Sequence, residues 1–291
     1  MPPWPWRTPP DVSHVSVSDA RSTDHGDLVA FCRDAPVDAA LLGEHVEAMA
    51  QMPFYRDQLL CVRESDRLTG LCWVGGNMVP FRIPPEAFER VGAEVRQRGR
   101  RYSSIVGSAD QVLGLWPHLE TFLPAPRDLR DDQPSMLIDH DPLVESDPGV
   151  GPTAAADIGI LMPACVEMFT DEVGYSPLTI GGGYERRVRA LVDAGRSLSR
   201  IEDGPHGRRV VFKAELGTVA LGVTQVQGVW VHPTMRGRGL AAAGMAAVVR
   251  HAREHVAPNV SLYVNAYNAP ALAAYRRVGF RQVGTFATIL F

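Results

Sequence analysis

The sequence predicts a mixed α/β (α+β) fold of two tandem domains, each a twisted, mostly antiparallel sheet flanked by helices. Three observations carry this expectation. The run VQGVWVHPTMRGRGLAAAGMAAVVRHA, from Val226, reads as an apolar strand, a loop alternating arginine with glycine, and a helix rich in small residues. Downstream, VSLYVNAYN at 260–268 reads as a second strand, APALAAYRRVGF as a short helix and RQVGTFATILF as one or two closing strands. The first half repeats that order in weaker form, and 291 residues with 45% apolar content suffice for two ordinary cores.

The arginine–glycine loop is the most informative element. Arg236, Gly237, Arg238, Gly239, Leu240 and Ala241 fit the pattern Arg-x-x-Gly-x-Ala at a strand-to-helix junction. Backbone N–H groups converge at such a helix N-terminus and the helix dipole adds partial positive charge, so the loop is suited to a diphosphate. Gly237 and Gly239 allow positive φ and close backbone approach, and Arg236 and Arg238 can reach outward to charged oxygens. A Walker loop is excluded, because the only lysine is Lys213, well upstream. A dinucleotide fold would carry its glycine fingerprint early in a repeated βαβ pattern, and this cradle begins some 55 residues from the end.

In the next segment Asn268 is placed to cap a helix, Pro270 falls in its first turn and Gly279 can close it in the left-handed conformation. Strand, Arg-Gly loop, long helix, strand, Asn-Ala-Pro-Ala, Ala-Tyr-Arg-Arg-Val-Gly-Phe and strand, over roughly residues 153–291, resemble the GNAT acyltransferases. That resemblance implies acetyl-CoA as co-substrate, no metal, and a primary amine as the unidentified acceptor. It places the CoA diphosphate on Arg236–Ala241 and the pantetheine arm on a bulged, splayed strand ending at Val229, Trp230, Val231 and His232. Asn268 matches a pantetheine-contacting position, with a pure helix cap as the alternative use. Tyr275 matches the tyrosine that protonates the departing thiolate, and a phenol near its ordinary pKa of about 10 suits that role.

The amine must lose a proton, and a backbone N–H near Val231 is suited to stabilise the oxyanion. Glu215 in VVFKAELGTVA and Glu172 in MFTDEVGYSP are the candidate bases, with pairing to Lys213 as the alternative use of Glu215 and a water relay as a third route. Gln225 and Gln227 share strand parity with Val229 and Val231, where some relatives carry a glutamate. YSPLTIGGG reads as a flexible stretch whose Tyr175, Ser176 and Pro177 border the acceptor side. The alternative function is a non-catalytic acyl-CoA-binding or regulatory module.

In the first half, helical patterns at 27–34 and 37–51 precede strands at LLCVR and TGLCWVGG, then two strand-to-helix passages. WVGGNMVP echoes VQGVWVHP and SSIVGSADQVLGLW echoes LYVNAYNAPALAAYR. Val79 to Ile105 spans 26 positions and Val231 to Tyr263 spans 32, a shortfall about the length of the Arg-Gly loop. The expected organisation is a proline-rich flexible tail at 1–20 with Trp4 and Trp6, a degenerate GNAT-like domain at 21–141, a linker at 142–153 and a GNAT domain at 154–291. With GGNMVP, RRYSSIVG, AELG and GTFATILF added, nearly the whole chain resembles an actinobacterial family that fuses an N-terminal domain of unknown function to a GNAT domain. The tandem architecture is also similar to mycothiol synthase, whose substrate is not carried over.

Charge divides unevenly: 14 basic against 23 acidic residues in 1–150, net −9, and 15 against 10 in 151–291, net +5. The positive half is the one expected to meet a polyanion, but its arginines are scattered, with no basic run for nucleic acid. Cys32, Cys61, Cys72 and Cys165 show no framework spacing and read as reduced thiols in a cytoplasmic protein. No apolar run reaches the roughly 20 residues of a membrane span, and the N-terminus has no signal-peptide core. A monomer or homodimer is expected.

Overall fold

The computed structural model describes residues 15–179, 182–204 and 207–291; Trp4, Trp6 and the turn residue Pro205 lie outside them. In chain order the elements are β1 Val15–Asp19, α1 His25–Arg33, α2 Pro36–Ala48, β2 Leu59–Glu64, β3 Arg67–Val74, β4 Met78–Phe81, α3 Phe88–Arg98, β5 Ser104–Ser108, α4 Ala109–Leu115 and β6 Asp128–Ile138. There follow β7 Gly151–Pro152, α5 Ile158–Val173, α6 Gly183–Asp193, β8 Ser197–Gly204, β9 Gly207–Ala220, β10 Val223–Val231, α7 Leu240–His255, β11 Asn259–Tyr263, α8 Ala269–Val278 and β12 Arg281–Leu290. Two compact units form. One holds the described residues up to Phe31 with His45–Asp131 and Ala287–Phe291, the other Cys32–Glu44 with Asp132–Phe286.

In the first unit β1 to β4 form an antiparallel meander, and β5 joins β4 in parallel at Met78↔Ile105, with α3 as the crossover. Helix α3 buries Phe88, Val91, Gly92 and Val95, the i, i+3, i+4, i+7 stripe of a surface helix, against Leu60, Val62, Cys72 and Ile105 of the sheet. The β4–α3 loop differs from an anion cradle for a physical reason. Pro84 and Pro85 supply no N–H, and the Gln111 side chain closes on Ile83, accepting from its N–H at 2.7 Å and donating to its carbonyl at 3.2 Å. The same unit holds His45 flat against Trp73, ring centroids 4.1 Å apart, with Tyr55 edge-on at 5.3 Å from Trp73. Burial lowers the His45 pKa to about 4, so the imidazole is neutral near pH 7.

In the second unit the strand order is β12-β6-β11-β10-β9-β8-β7. Strand β6 runs antiparallel to β11 from Val260↔Ile138 to Tyr263↔Ser135, and β10 is parallel to β11. Helices α5 and α6 pack with Trp230 and Val210 on one face, while α7 and α8 pack with Phe212, Val226 and Leu262 on the other. Gly244 is where α7 lies closest to the sheet: a Cβ there would meet the Phe212 ring at 2.6 Å. Each unit thus closes with a strand from the other half of the chain. The second takes in β6, and the first takes in the end of β12, where Phe291 N–H donates to Ser103 O at 3.1 Å.

The fold class is the expected mixed α/β type. Several boundaries differ. Val15–Asp19, read as tail, is a strand paired with Leu60–Glu64, and Gly151–Pro152, read as linker, pairs with β8. Helix α5 begins at Ile158 and carries Pro163 inside its first turns. The strand expected over 260–268 stops at Tyr263, and YSPLTIGGG contains a 3₁₀ turn at Pro177–Thr179. Strand β6 was not foreseen, because Pro134 and the acidic run before it argue against a central strand.

Removing residues 1–153 strips β6 from β11 and leaves an unpaired apolar edge, so that fragment is expected to aggregate and to show no cooperative melt by circular dichroism. Below pH 6.5 the unfolded chain takes up a proton that native His45 refuses until about pH 4. Stability is therefore full above pH 6.5 and falls by up to about 2–3 kcal/mol as pH drops toward 4. His45→Phe keeps the ring stack and should remove that share of the acid slope in denaturant titrations.

Candidate functional site

The site grows from a registry defect in β10. Against β9 the register shifts between Gln225 and Val226 and again between Gln227 and Trp230, so Gly228 and Val229 together oppose Ala214. Gly228 has φ +62, which a glycine accepts without cost. Against β11 the pairing covers only Val223↔Asn259, Thr224↔Val260 and Gln225↔Ser261. Beyond Gln225 the two parallel strands part, and among the described residues Val226–Val231 has β9 as its only strand partner.

The bulge also corrects the parity expected for the glutamines. Gln227 pairs with Glu215 and Trp230 with Lys213, on the α5 face, whereas Val231 pairs with Phe212 and faces α7. One inserted residue flips every side chain beyond it, so Gln227 and Val231 lie on opposite faces.

At the end of β10 a 3₁₀ turn at Pro233–Met235 leads into the arginine–glycine loop. Arg236 Nε donates back to Val231 O at 3.1 Å and pins the loop to the strand. Gly237 and Gly239 have φ +75 and +80, Gly239 is the N-cap of α7, and a Cβ on either would meet nothing within 4 Å. There is room beside both glycines. The first turn of α7 contains no acidic residue and its N-cap makes no side-chain hydrogen bond, so among the described residues no local carboxylate offsets the dipole end.

Tyr275 lies in the middle of α8, 6% exposed, in the apolar cluster that also takes Val226 and receives Val229, Val231 and Val264. Its hydroxyl is pushed well above the ordinary phenol range, by burial first and by the charge of Glu172 second. Glu172 sits in the last turn of α5, exposed, and its charge is also felt by Tyr184. Asn268 caps α8, its side-chain oxygen accepting from Ala271 N–H at 3.2 Å, and Gly279 ends that helix at φ +117. Tyr175 lies edge-on to Phe169 at 5.6 Å, Ser176 Oγ accepts from Leu178 N–H at 3.4 Å, and Pro177 is buried.

Glu215 is placed differently. It is 5% exposed and lies on the α5 face of β9, opposite to Val231. Its Oε1 accepts from Lys213 Nζ at 2.8 Å and from Cys165 Sγ at 3.6 Å, and Gln227 Nε2 approaches Oε2 at 3.5 Å. Lys213, fully buried, also donates to the Gly228 carbonyl at 2.9 Å. Burial pushes the Cys165 thiol up to about 12, which leaves it an inert packing group. Lys213 was overlooked as anything but a partner for Glu215, although a lone lysine on an apolar strand among 28 arginines was the signal available.

A parallel strand pair parted over an open helix N-terminus is the signature of the GNAT acyltransferase architecture. Comparison with known proteins agrees with it. Residues 200–280 match the Acetyltransferase (GNAT) family, and residues 57–161 match the Domain of unknown function family DUF4081. The two matches lie in the order DUF4081 then GNAT along the chain. A mycothiol acetyltransferase from Saccharomonospora viridis is 44% identical over 63 residues, 22% of this chain and 21% of that protein. The chain therefore spans about a fifth of the length of that curated relative. Among solved structures, a GCN5-related N-acetyltransferase from Sphaerobacter thermophilus aligns with TM-score 0.61 at 17% identity over 94% of both chains. A tandem GNAT protein from the clavulanic acid biosynthesis pathway aligns with TM-score 0.54 at 13% identity, over 94% of this chain and 98% of that one. At such identities the likeness is one of fold, and it includes the tandem arrangement.

Gly239→Val forces a β-branched residue to φ +80 at the helix start. It should cost about 1–2 kcal/mol of stability, read as a lowered Tm.

Proposed function

We propose that the C-terminal half transfers an acetyl group from acetyl-CoA to a primary amine, of a small molecule or a peptide, by direct attack of the amine on the thioester. One observation carries the reading: an open cradle at Arg236–Ala241 stands at the foot of a strand that has lost its parallel neighbour. The backbone N–H groups from Gly237 to Ala241, with the guanidinium groups of Arg236 and Arg238, take the diphosphate. The unpaired edge of Val229 to Val231 offers backbone groups to the amides of the pantetheine arm, as an added strand would. The Asn268 side chain, whose oxygen already caps α8, has its amide nitrogen left for the same arm.

As the new C–N bond forms and the C–S bond breaks, negative charge gathers first on the carbonyl oxygen and then on sulfur. A backbone N–H near Val231 meets the first. Tyr275 meets the second by giving its proton to the thiolate; its raised pKa keeps the hydroxyl protonated at neutral pH. The amine proton leaves to Glu172, directly or through water. Glu172 is favoured over Glu215 because its charge acts at the Tyr275 hydroxyl, whereas the Glu215 carboxylate is already committed to the Lys213 ammonium. The acceptor is left as an amine, since the stretch shared with mycothiol acetyltransferase covers only 63 residues.

Release of CoA thiol over a panel of amines tests the reading. Tyr275→Phe should lower kcat by about 100-fold with little change in acetyl-CoA affinity, and full rate in that variant would remove the acid role. Calorimetric CoA binding with no turnover on any amine would make the protein a binding module instead. Because Tyr275 titrates above its ordinary 10.0, its proton supply should hold throughout pH 7–10, with no alkaline fall in rate that Tyr275→Phe abolishes.

A further inference from the structure

We propose that Lys213, anchored by Glu215, is a positioning residue for acyl transfer: it holds the bulged peptide between Gly228 and Val229 in the orientation that aims the Val229 N–H at the thioester carbonyl. The inference rests on the acetyltransferase reading and adds a residue to it. Three observations carry it. Lys213 is the only lysine of the chain and is 0% exposed, in a place where an apolar residue would pack without desolvation cost. Its ammonium spans two partners, Glu215 Oε1 at 2.8 Å and Gly228 O at 2.9 Å, with Cys165 Sγ also within its field. Gly228 has φ +62 and is packed so closely on the pair that a Cβ would meet Glu215 Oε2 at 3.0 Å and Lys213 Nζ at 3.1 Å.

A trans peptide is planar, with its C=O and N–H pointing in opposite directions. A Gly228 carbonyl drawn to the Lys213 ammonium therefore directs the Val229 N–H away from that ammonium, and so away from the α5 face. An ordinary bulge leaves that peptide free to rock, and an amide that must meet a developing oxyanion works best when its direction is set beforehand. The ion pair sets it. Glu215 acts here as the partner that holds the Lys213 ammonium in place, not as the base.

The test needs no acceptor. Acetyl-CoA labelled with ¹³C at the thioester carbonyl is bound to the full-length protein and its resonance compared with free acetyl-CoA. The wild type should show a downfield displacement, as a carbonyl polarised by an N–H does. Lys213→Met/Glu215→Gln removes both charges together and leaves no orphaned ion. It should bind acetyl-CoA within about threefold of wild type while its carbonyl resonance returns to the free position. Glu215→Gln alone leaves the lysine on Gly228 O and should retain most of the displacement. Gly228→Ala, which pushes a methyl group into the pair, should lose it as the double variant does and serves if the double variant does not fold. In the amine assay the double variant should lose at least tenfold in kcat with KM for acetyl-CoA nearly unchanged. An undisplaced resonance in the wild type, or an unchanged displacement in both the double variant and Gly228→Ala, would overturn the proposal. A wild type that does not bind acetyl-CoA would overturn the acetyltransferase reading itself, which is a separate outcome.

Discussion

Strands β10 and β11 share three residue pairs and then separate, and the rest of the C-terminal architecture follows from that separation. A parallel pair normally propagates, because each added residue contributes backbone hydrogen bonds at small entropic cost. Here two register shifts in nine residues bend β10 toward β9 and out of reach of β11. The result is an edge of polar backbone inside a domain, a condition that proteins otherwise avoid and that a peptide-like ligand can satisfy. Helix α7 follows β10 through the arginine–glycine loop, so the parted edge and the dipole end of the helix are joined by one short stretch of chain.

The N-terminal half shows what the same outline becomes without those two features. Its strand–helix–strand passage also brings β4 and β5 together in parallel. Between β4 and α3, however, stand two prolines, and the Gln111 carboxamide takes up the free backbone groups of Ile83. A helix start whose donors are absent or satisfied has nothing to offer an anion. Gly107 also lies within close contact of Pro80 O, with a Cβ position only 3.2 Å away, so the backbones of β4 and β5 stay together there. This unit keeps a packed core around Leu60, Ile105 and Val112 and has no open cradle of the kind seen at Arg236–Ala241.

One buried polar cluster of the second unit lies at the bulge of β10. Lys213, Glu215, Gln227 and the Gly228 carbonyl satisfy one another on the α5 face, while the α7 face is formed by Phe212, Val226, Met245 and their neighbours. A buried ion pair contributes little net stability compared with apolar packing, so its presence at the bulge is a matter of geometry more than of folding energy. Breaking it from one side alone would leave a charge stranded in the core, so the stabilities of single variants at the two positions are coupled.

Much of the outline was legible in the residues. The Arg-Gly loop, the cap at Asn268, the αL closure at Gly279 and the buried stripe of Val188, Leu191 and Val192 are local features, set by φ preference, capping chemistry and helical period, and each is found where those rules place it. The parting of β10 from β11 entered only through family resemblance, since nothing in Gln225–Val231 announces which neighbour a strand will lose. Strand β12 was legible in RQVGTFATILF, but its partners, and β6 altogether, were not, for a related reason. Pairing of β6 with β11 and of Phe291 with Ser103 joins residues more than a hundred positions apart, and a local pattern carries no information about the partner across a ladder. The face on which Gln227, Glu215 and Val231 sit was likewise decided by one inserted residue at Gly228. Sequence alone therefore determined most of the helices and strands and the position of the arginine–glycine turn, because those depend on near neighbours. Tertiary structure decided the bulge, the face of each side chain beyond it and the partners of Lys213, because those depend on hydrogen bonds between strands that only the folded chain brings together.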